Sequence, residues 1–422
     1  TRIIGNITDY QLPVIRLLST NSRAAICTVF EKVNVGGKKL DAFELVTAIY
    51  AADEFDLRED WHGPTGHHDK GRHGRMVGQS NPRDVLAPVT SVDFLKACAL
   101  MHTGRERARR RAEGAAGATL PQVSCNRDAI LALPLFAYRD FAGPVEQGFV
   151  EAAKFLNARK IIWRGDVPYP NQITALAAVF ATLGPKATTL PAQQKLERWF
   201  WSVALGEQYG SSPDSRLARD VPELISWIAE DGEPARALGE VVFQSDRLRH
   251  LRSRISAAYK AIHALLMVEG CRDFITGNPV QLMTFFNNKI DVHHVFPRAW
   301  AQSRGIPPRI YNAVLNKTPL SALSNQIIGG EAPSRYLRRI EQRQGLSTEQ
   351  LDEILRSHLI EPDLLRADEF EGFLAARTEA LSQLVERALD KPVVRTAGAN
   401  EPEREPGDAD DEDDETAEIA AA

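Results

Sequence analysis

The chain has 422 residues, 43% of them hydrophobic and 25% charged, with 28 glycines and 24 prolines, which excludes collagen-like, fibrous and wholly disordered proteins. At ~100–200 residues per domain, that length allows two to four domains. Residues 401–422 hold eleven acidic side chains and one basic one (Arg404), a balance of −10 within a net charge of −5, so residues 1–400 carry +5 and the bulk of the chain is mildly basic.

Residues 3–18 read as one or two strands with no upstream partner, so the first domain is expected to lack its beginning. Residues 23–33 carry a helical pattern and 34–39 a turn. Asp41 with Glu44 three positions on has the form of a capping box, which predicts a helix through Ala51. Residues 61–79, rich in Gly, His and charge, predict a long exposed loop too floppy to preorganise a metal site from His62, His67, His68 and His73. A helix is predicted over 91–101, followed by a basic run over 105–111 read as a loose arm.

Residues 128–270 read as almost wholly helical, broken at Gly143-Pro144, Pro168-Tyr169-Pro170, Gly184-Pro185 and Ser211-Ser212-Pro213, with Trp199, Phe200, Trp201 and Trp227 expected in the core. A basic helix is predicted around Arg247, Arg249, His250, Arg252 and Arg254, with Arg247, His250 and Arg254 on one face as candidate phosphate contacts. The longest strongly apolar run, 173–183, is shorter than the ~20 residues of a membrane helix. No charged-then-apolar leader follows Thr1, and Cys27, Cys98, Cys125 and Cys271 form no CxxC pair, so buried thiols in a cytoplasmic protein are expected.

The pattern changes at Ile290. Short β-like runs over 290–296 and 314–320 alternate with helices, among them 321–328 and one opened by Pro333-Ser334, and 346–389 is helical again. Beyond Pro392 an acidic, disordered tail is expected, with solubility as its plain role and competition with DNA as the sharper one.

The informative string is Asp291-Val292-His293-His294-Val295-Phe296-Pro297, followed by Asn316 and, nine residues later, Asn325. Adjacent strand residues point to opposite faces, so one imidazole can meet a metal while the other meets a water. Phosphodiester hydrolysis needs that division: a neutral imidazole of suitable pKa as base, and a divalent cation for the charge on the leaving oxygen. Asn325, on a different element, can add a carbonyl oxygen.

The string resembles the Asp-x-(Asp/His)-His-(Ile/Val)-x-Pro signature of HNH, or ββα-metal, nucleases, and the spacing of the two asparagines is similar to that in the HNH domain of the RNA-guided CRISPR nuclease. The resemblance implies His294 as general base, His293 and Asn325 as metal ligands, Asn316 as the brace grouped with the catalytic residues, and Asp291 as orienter of an imidazole. Residues 304–311 lengthen the span between His294 and Asn316 relative to compact HNH domains. The block Phe30 to Leu40 followed by Phe43-Glu44-Leu45, and the segment Asn325-Gln326-Ile327-Ile328-Gly329-Gly330, resemble the GmrSD-type restriction proteins, which join a ParB-like N-terminal domain to a C-terminal HNH domain. That family's N-terminal Asp-Gly-Gln-Gln-Arg motif is missing here, so nucleotide hydrolysis is not carried over, although Asn34, Gly36, Gly37 and Lys38 could cradle a phosphate.

The resulting expectation is a mainly α, multi-domain protein with a small ββα-metal insert: a ParB-like α/β remnant over 1–125, a helical domain over 126–285, the nuclease unit over 286–342, C-terminal helices over 343–392 and a tail over 393–422. It would cut double-stranded, foreign or modified phage DNA with one divalent ion (Mg²⁺ or Mn²⁺, with Ni²⁺ or Zn²⁺ as alternatives). Arg247, His250, Arg254, Lys317 and Arg335 would contact DNA, there would be no membrane partner, and an oligomer or partner subunit is compatible. The alternatives are an inactive DNA-binding module and a nucleotide-sensing regulator.

Overall fold

A computed structural model describes residues 40–78, 85–280 and 290–396. The expected strands over 3–18, the helix over 23–33, the phosphate-cradle residues Asn34, Gly36, Gly37 and Lys38, Cys27 and the tail from 397 onward lie outside the described residues.

Local chemistry starts the helices. Asp41 Oδ1 accepts from the Glu44 amide and Glu44 Oε2 from the Asp41 amide, both at 2.9 Å, opening Ala42–Ala51. Such a cap is worth ~1 kcal/mol. Thr90 and Asp93 make the same reciprocal pair at the head of Ser91–Ala112.

That helix runs past the predicted end, so the basic run 105–111 is helical and not a loose arm. Arg109 pairs with Glu106 and Glu113, Arg107 donates to the Pro121 carbonyl, and the basic residues complement the negative end of the helix dipole. Likewise Leu135–Ala158 passes through Gly143-Pro144 without a break. Ala142, Val145 and Phe149 bury its inner face, and this packing outweighs the one ladder bond that proline removes.

Leu135–Ala158 and Pro170–Leu183 are the central pair. They approach so closely at Gly148 that a Cβ there would lie 2.3 Å from the Ala177 carbonyl oxygen. Leu190–Leu205, Pro213–Ala229 and Ala257–Val268 surround them. Trp199, Phe200, Trp201 and Trp227 are buried, as expected. Asp220, fully buried, accepts from Trp199 Nε1, Tyr209 Oη and Arg219 Nε, so its charge is met on every side.

The glycine- and histidine-rich segment after Trp61 is folded, contrary to the loop expectation. It forms a short 3-10 turn, His68–Lys70, and the helix Arg72–Val77. Arg72 joins Asp60 at 2.6 Å and Glu146 at 2.8 Å. The glycines permit tight backbone contact: a Cβ on Gly71 would lie 2.2 Å from the Gly63 nitrogen, and one on Gly74 2.0 Å from the His68 oxygen.

The C-terminal part carries the only sheet among the described residues, β1 (Ile290–His294) antiparallel to β2 (Lys317–Ser321). The expected second run over 314–320 begins instead as a 3-10 turn, Val314–Asn316. Ser321 caps the helix Ala322–Ile328, which lies against both strands. Pro333–Gln344, Thr348–Ser357, Pro362–Arg366 and Phe370–Leu389 complete a mainly α-helical protein. Residues 393–396 are ordered against 243–245 and are not part of a disordered tail. One contiguous core spans Ala42 to Val393, and no described helix is long and apolar enough to cross a membrane.

Candidate active site

Strand alternation separates the two histidines. In the register of the ribbon His293 faces Thr318 and His294 faces Lys317. β1 stops at His294 because Asn316 takes over its pairing: the Asn316 carbonyl accepts from the Val295 amide at 2.8 Å. The Asn316 side chain goes further. Its Oδ1 accepts from the Phe296 amide at 2.8 Å, and its Nδ2 donates to the Phe296 and Tyr311 carbonyls at 3.0 and 2.9 Å. Fully buried and fully used, this amide cannot touch a substrate. Asn316 thus makes bracing hydrogen bonds of the kind expected of it, as a positioning residue that ties the exit of β1 to the segment before β2 and not as a group in contact with reacting atoms. Phe296 wedges between Trp300, Phe370 and Phe373 at centroid distances of 4.9–5.1 Å, and Tyr336 Oη donates to the Val295 carbonyl, which fixes the same corner from below.

The lengthened span 304–311 contributes to the site. Its helix Pro308–Tyr311 delivers Asn312, whose Oδ1 lies 2.9 Å from His294 Nε2. With a carbonyl oxygen as partner, Nε2 carries the proton and Nδ1 keeps the lone pair. Asn312 was missed from sequence because nothing in the motif reserves a partner for the imidazole. The His294 pKa falls to about 4, chiefly through burial. The Asn312 contact opposes the fall, while Lys317, Arg254 and His293 add to it. The expected pKa near the working pH is thus not found; the ring is neutral throughout the neutral range because little water and several cations surround it.

Lys317, beside His294 across the ribbon, is buried, with its ammonium 5.8 Å from the centre of the Tyr259 ring. Arg254 donates to the Val292 carbonyl at 3.1 Å. His293 is buried, and Asn325 is exposed on the helix against β1. Asp291 pairs with Leu320 in the backbone register, and its side chain lies outside the described part. Arg335 is exposed on Pro333–Gln344.

The shared helical face of Arg247, His250 and Arg254 does not exist. The helix is only Arg247–His250, because the Leu251 carbonyl is drawn away to accept from the Val314 amide at 2.7 Å. Arg247 turns to the Leu205 carbonyl and Glu207, and His250 to Asp246. The break nevertheless brings the basic segment against the ribbon.

The ribbon rests on the helical body through β2. Thr318 Oγ1 and the Arg272 carbonyl each lie 2.7 Å from His358 ring nitrogens, and Asp273 Oδ2 accepts from the Ser321 amide and Ser324 hydroxyl. Among the described residues no group of three or more His, Cys, Asp or Glu could hold a metal. Cys98, Cys125 and Cys271 are buried and unbridged.

No family model matches the chain. It is 26% identical over 372 residues to an uncharacterized protein of Methanocaldococcus jannaschii, a match covering 85% of this chain and 59% of that protein. The chain thus spans well under two thirds of that relative's length.

Proposed function

We propose that the chain is an HNH-type endonuclease that hydrolyses DNA phosphodiester bonds with a divalent cation, in the restriction of foreign or modified phage DNA. One observation carries the reading: a neutral imidazole, His294, sits at the end of a two-stranded ribbon beside Lys317 and Arg254, and the next helix bears Asn325. A ParB-like N-terminal domain belongs to the same reading.

In this reading His294 Nδ1 accepts a proton from water, the water oxygen attacks the phosphorus, and the 3′ oxygen departs on the opposite side. Asn312 holds the ring by its other nitrogen, and Asn316 holds the corner that aims it. Lys317 and Arg254 place positive charge where the phosphate arrives, and that phosphate in turn raises the His294 pKa toward the useful range. His293 and Asn325, one imidazole nitrogen and one amide oxygen, are a donor pair suited to Mn²⁺, Ni²⁺ or Zn²⁺ as well as Mg²⁺. The ion, when bound, supplies charge stabilisation at the leaving oxygen.

Plasmid cleavage across a series of these metals tests the proposal. Metal-dependent nicking or linearisation is expected, and His294→Ala should slow it ~10²–10⁴-fold. Equal rates for the variant and the parent would remove His294 from the chemistry.

A further inference from the structure

We propose that Asp273 is a positioning residue for Asn325: its buried carboxylate holds the helix Ala322–Ile328 so that Asn325 is presented to the metal. The inference rests on the hydrolase reading for the role of Asn325 and adds to it the group that acts through that residue.

The turn that carries Asp273 is the first observation. After Ala257–Val268 the chain doubles back, with Arg272 bridged to Pro279 in antiparallel fashion. The Asp273 amide donates to the Asn278 carbonyl at 2.8 Å, and the Gly277 amide donates to the Asp273 carbonyl at 2.9 Å. Arg272 Nε closes the same loop on the Gly277 carbonyl at 2.8 Å. The Arg272 amide donates to Ser357 Oγ at 3.0 Å, which fastens the turn to the end of Thr348–Ser357. Asp273 therefore stands on a fixed mount.

The second observation is how its two oxygens are used. Oδ1 accepts from the Ile275 and Thr276 amides at 3.1 and 3.0 Å and from the Thr276 hydroxyl at 3.2 Å. These local bonds lock the carboxylate into its own turn. Oδ2 reaches across the chain, accepting from the Ser321 amide at 3.0 Å, 48 residues away, and from the Ser324 hydroxyl at 2.8 Å, 51 residues away. Burial works against the anion, but the hydrogen bonds from Thr276, Ser321 and Ser324 hold the carboxyl below its ordinary pKa, so the group is charged at neutral pH. Hydrogen bonds to a carboxylate are roughly twice as strong as those between neutral groups. Fully buried and with both oxygens occupied, Asp273 is no metal ligand itself.

The third observation is the helix at the other end of those bonds. Ala322–Ile328 has seven residues, and a helix that short has little stiffness of its own. Its buried members are Ser324 and Ile328, four positions apart and so on one face. Ile328 is an apolar hold near the C-terminal end, and Ser324 is the polar hold near the N-terminal end, where it meets Asp273. Asn325 is the next residue, about 100° further round, and is exposed. Releasing the Ser324 end lets the helix swing about Ile328, and Asn325, beside the released hold, moves with it.

The test measures Mn²⁺ binding to full-length chains without DNA, from the electron paramagnetic resonance signal of the free ion. The chains are the parent, Asp273→Asn, Ser324→Ala, Asn325→Ala, the Asp273→Asn/Asn325→Ala double variant and Ser357→Ala. Asp273→Asn keeps the shape and removes the charge, and it should raise the Mn²⁺ Kd about tenfold or more. Ser324→Ala deletes only one donor to Oδ2 and should give a smaller loss of about threefold, which carries the test if Asp273→Asn fails to fold in circular dichroism melts. In the Asn325→Ala background Asp273→Asn should cost less than about twofold, because no ligand is left to position. Ser357→Ala loosens the same turn on the side away from the helix, so it should lower the urea midpoint and leave the Kd within about twofold. Unchanged binding in Asp273→Asn and Ser324→Ala, losses that multiply in the double variant, or an equal loss in Ser357→Ala overturns the proposal. Mn²⁺ binding that depends on Asn325 but not on Asp273 ends this inference and leaves the hydrolase reading standing. A parent chain that binds no Mn²⁺, or binds it as well after Asn325→Ala, ends the metal assignment of that reading and this inference with it.

Discussion

The helical body and the β1–β2 ribbon treat buried charge in opposite ways. In the body, Asp220 is surrounded by Trp199, Tyr209 and Arg219, and Gln172 Nε2 donates to the Phe200 carbonyl. Around the ribbon the buried acid Asp273 is met by the Ser321 amide and the Ser324 hydroxyl, while the cations Lys317 and Arg377 lie buried near His263, and burial followed by Lys317, Arg254 and Arg377 lowers the His263 pKa to about 3. The Arg377 guanidinium, itself lowered to about 9 by burial, meets no hydrogen-bond acceptor among the described residues. Charge that is internally matched serves stability, whereas a concentration of one sign suits an incoming group of the other.

Removing the carboxylate that closes the body should have the largest effect. Asp220→Ala leaves Arg219, Trp199 and Tyr209 with lost partners in a dry site, and a loss of ~3–5 kcal/mol in urea unfolding is expected. If the loss were below ~1 kcal/mol, the contrast between the two regions would fail at its stronger end.

Asn316→Ala comes next. It strands the Phe296 amide and two carbonyls, for ~2–3 kcal/mol of stability. Because Asn316 acts by aiming the corner and not by touching substrate, kcat for DNA cleavage should fall while KM stays nearly constant. A rise in KM alone would mean that the amide helps to bind DNA instead.

The third effect is on pH. His263 and His358, buried and neutral, have pKa values lowered to about 3 and about 4. The unfolded chain takes up protons on both rings below ~6.5 while the folded chain does not, so stability should fall as pH drops from 6.5 toward 4. Each ring contributes up to ~1.4 kcal/mol per pH unit, read as a falling urea midpoint. His263→Phe should flatten that slope, and an unchanged slope would place the titration elsewhere.

These effects bear on how far the residues alone could disclose the outcome. The Asp41–Glu44 box, the turn to strands at Ile290 and the helix over 321–328 were legible because each is local and each matches the three-dimensional result. Long-range contacts were not. Pro144 signals a break that packing overrides, Arg72 reaches 74 residues to Glu146 and folds an apparent loop, and Val314 ends a helix by capturing the Leu251 carbonyl. Within the candidate site the placement of His293 and His294 on a strand was readable, yet the partner of His294 was not, because Asn312 lies on a span whose path no spacing rule describes.

The smallest effect belongs to the rim. Arg335 is exposed, and Arg335→Ala should weaken DNA binding a few-fold, lowering the salt slope of log K by about 1 without changing stability. An unaltered slope would take this helix off the DNA path.

The central claim is that His294 removes a proton from the attacking water, and chemical rescue addresses it most directly. Single-turnover cleavage of a duplex with Mn²⁺ is measured for the parent and for His294→Gly, with and without added imidazole. The variant should cut ~10²–10⁴-fold more slowly than the parent, and free imidazole should restore part of the rate in proportion to its neutral form. A glycine variant as fast as the parent would contradict the account.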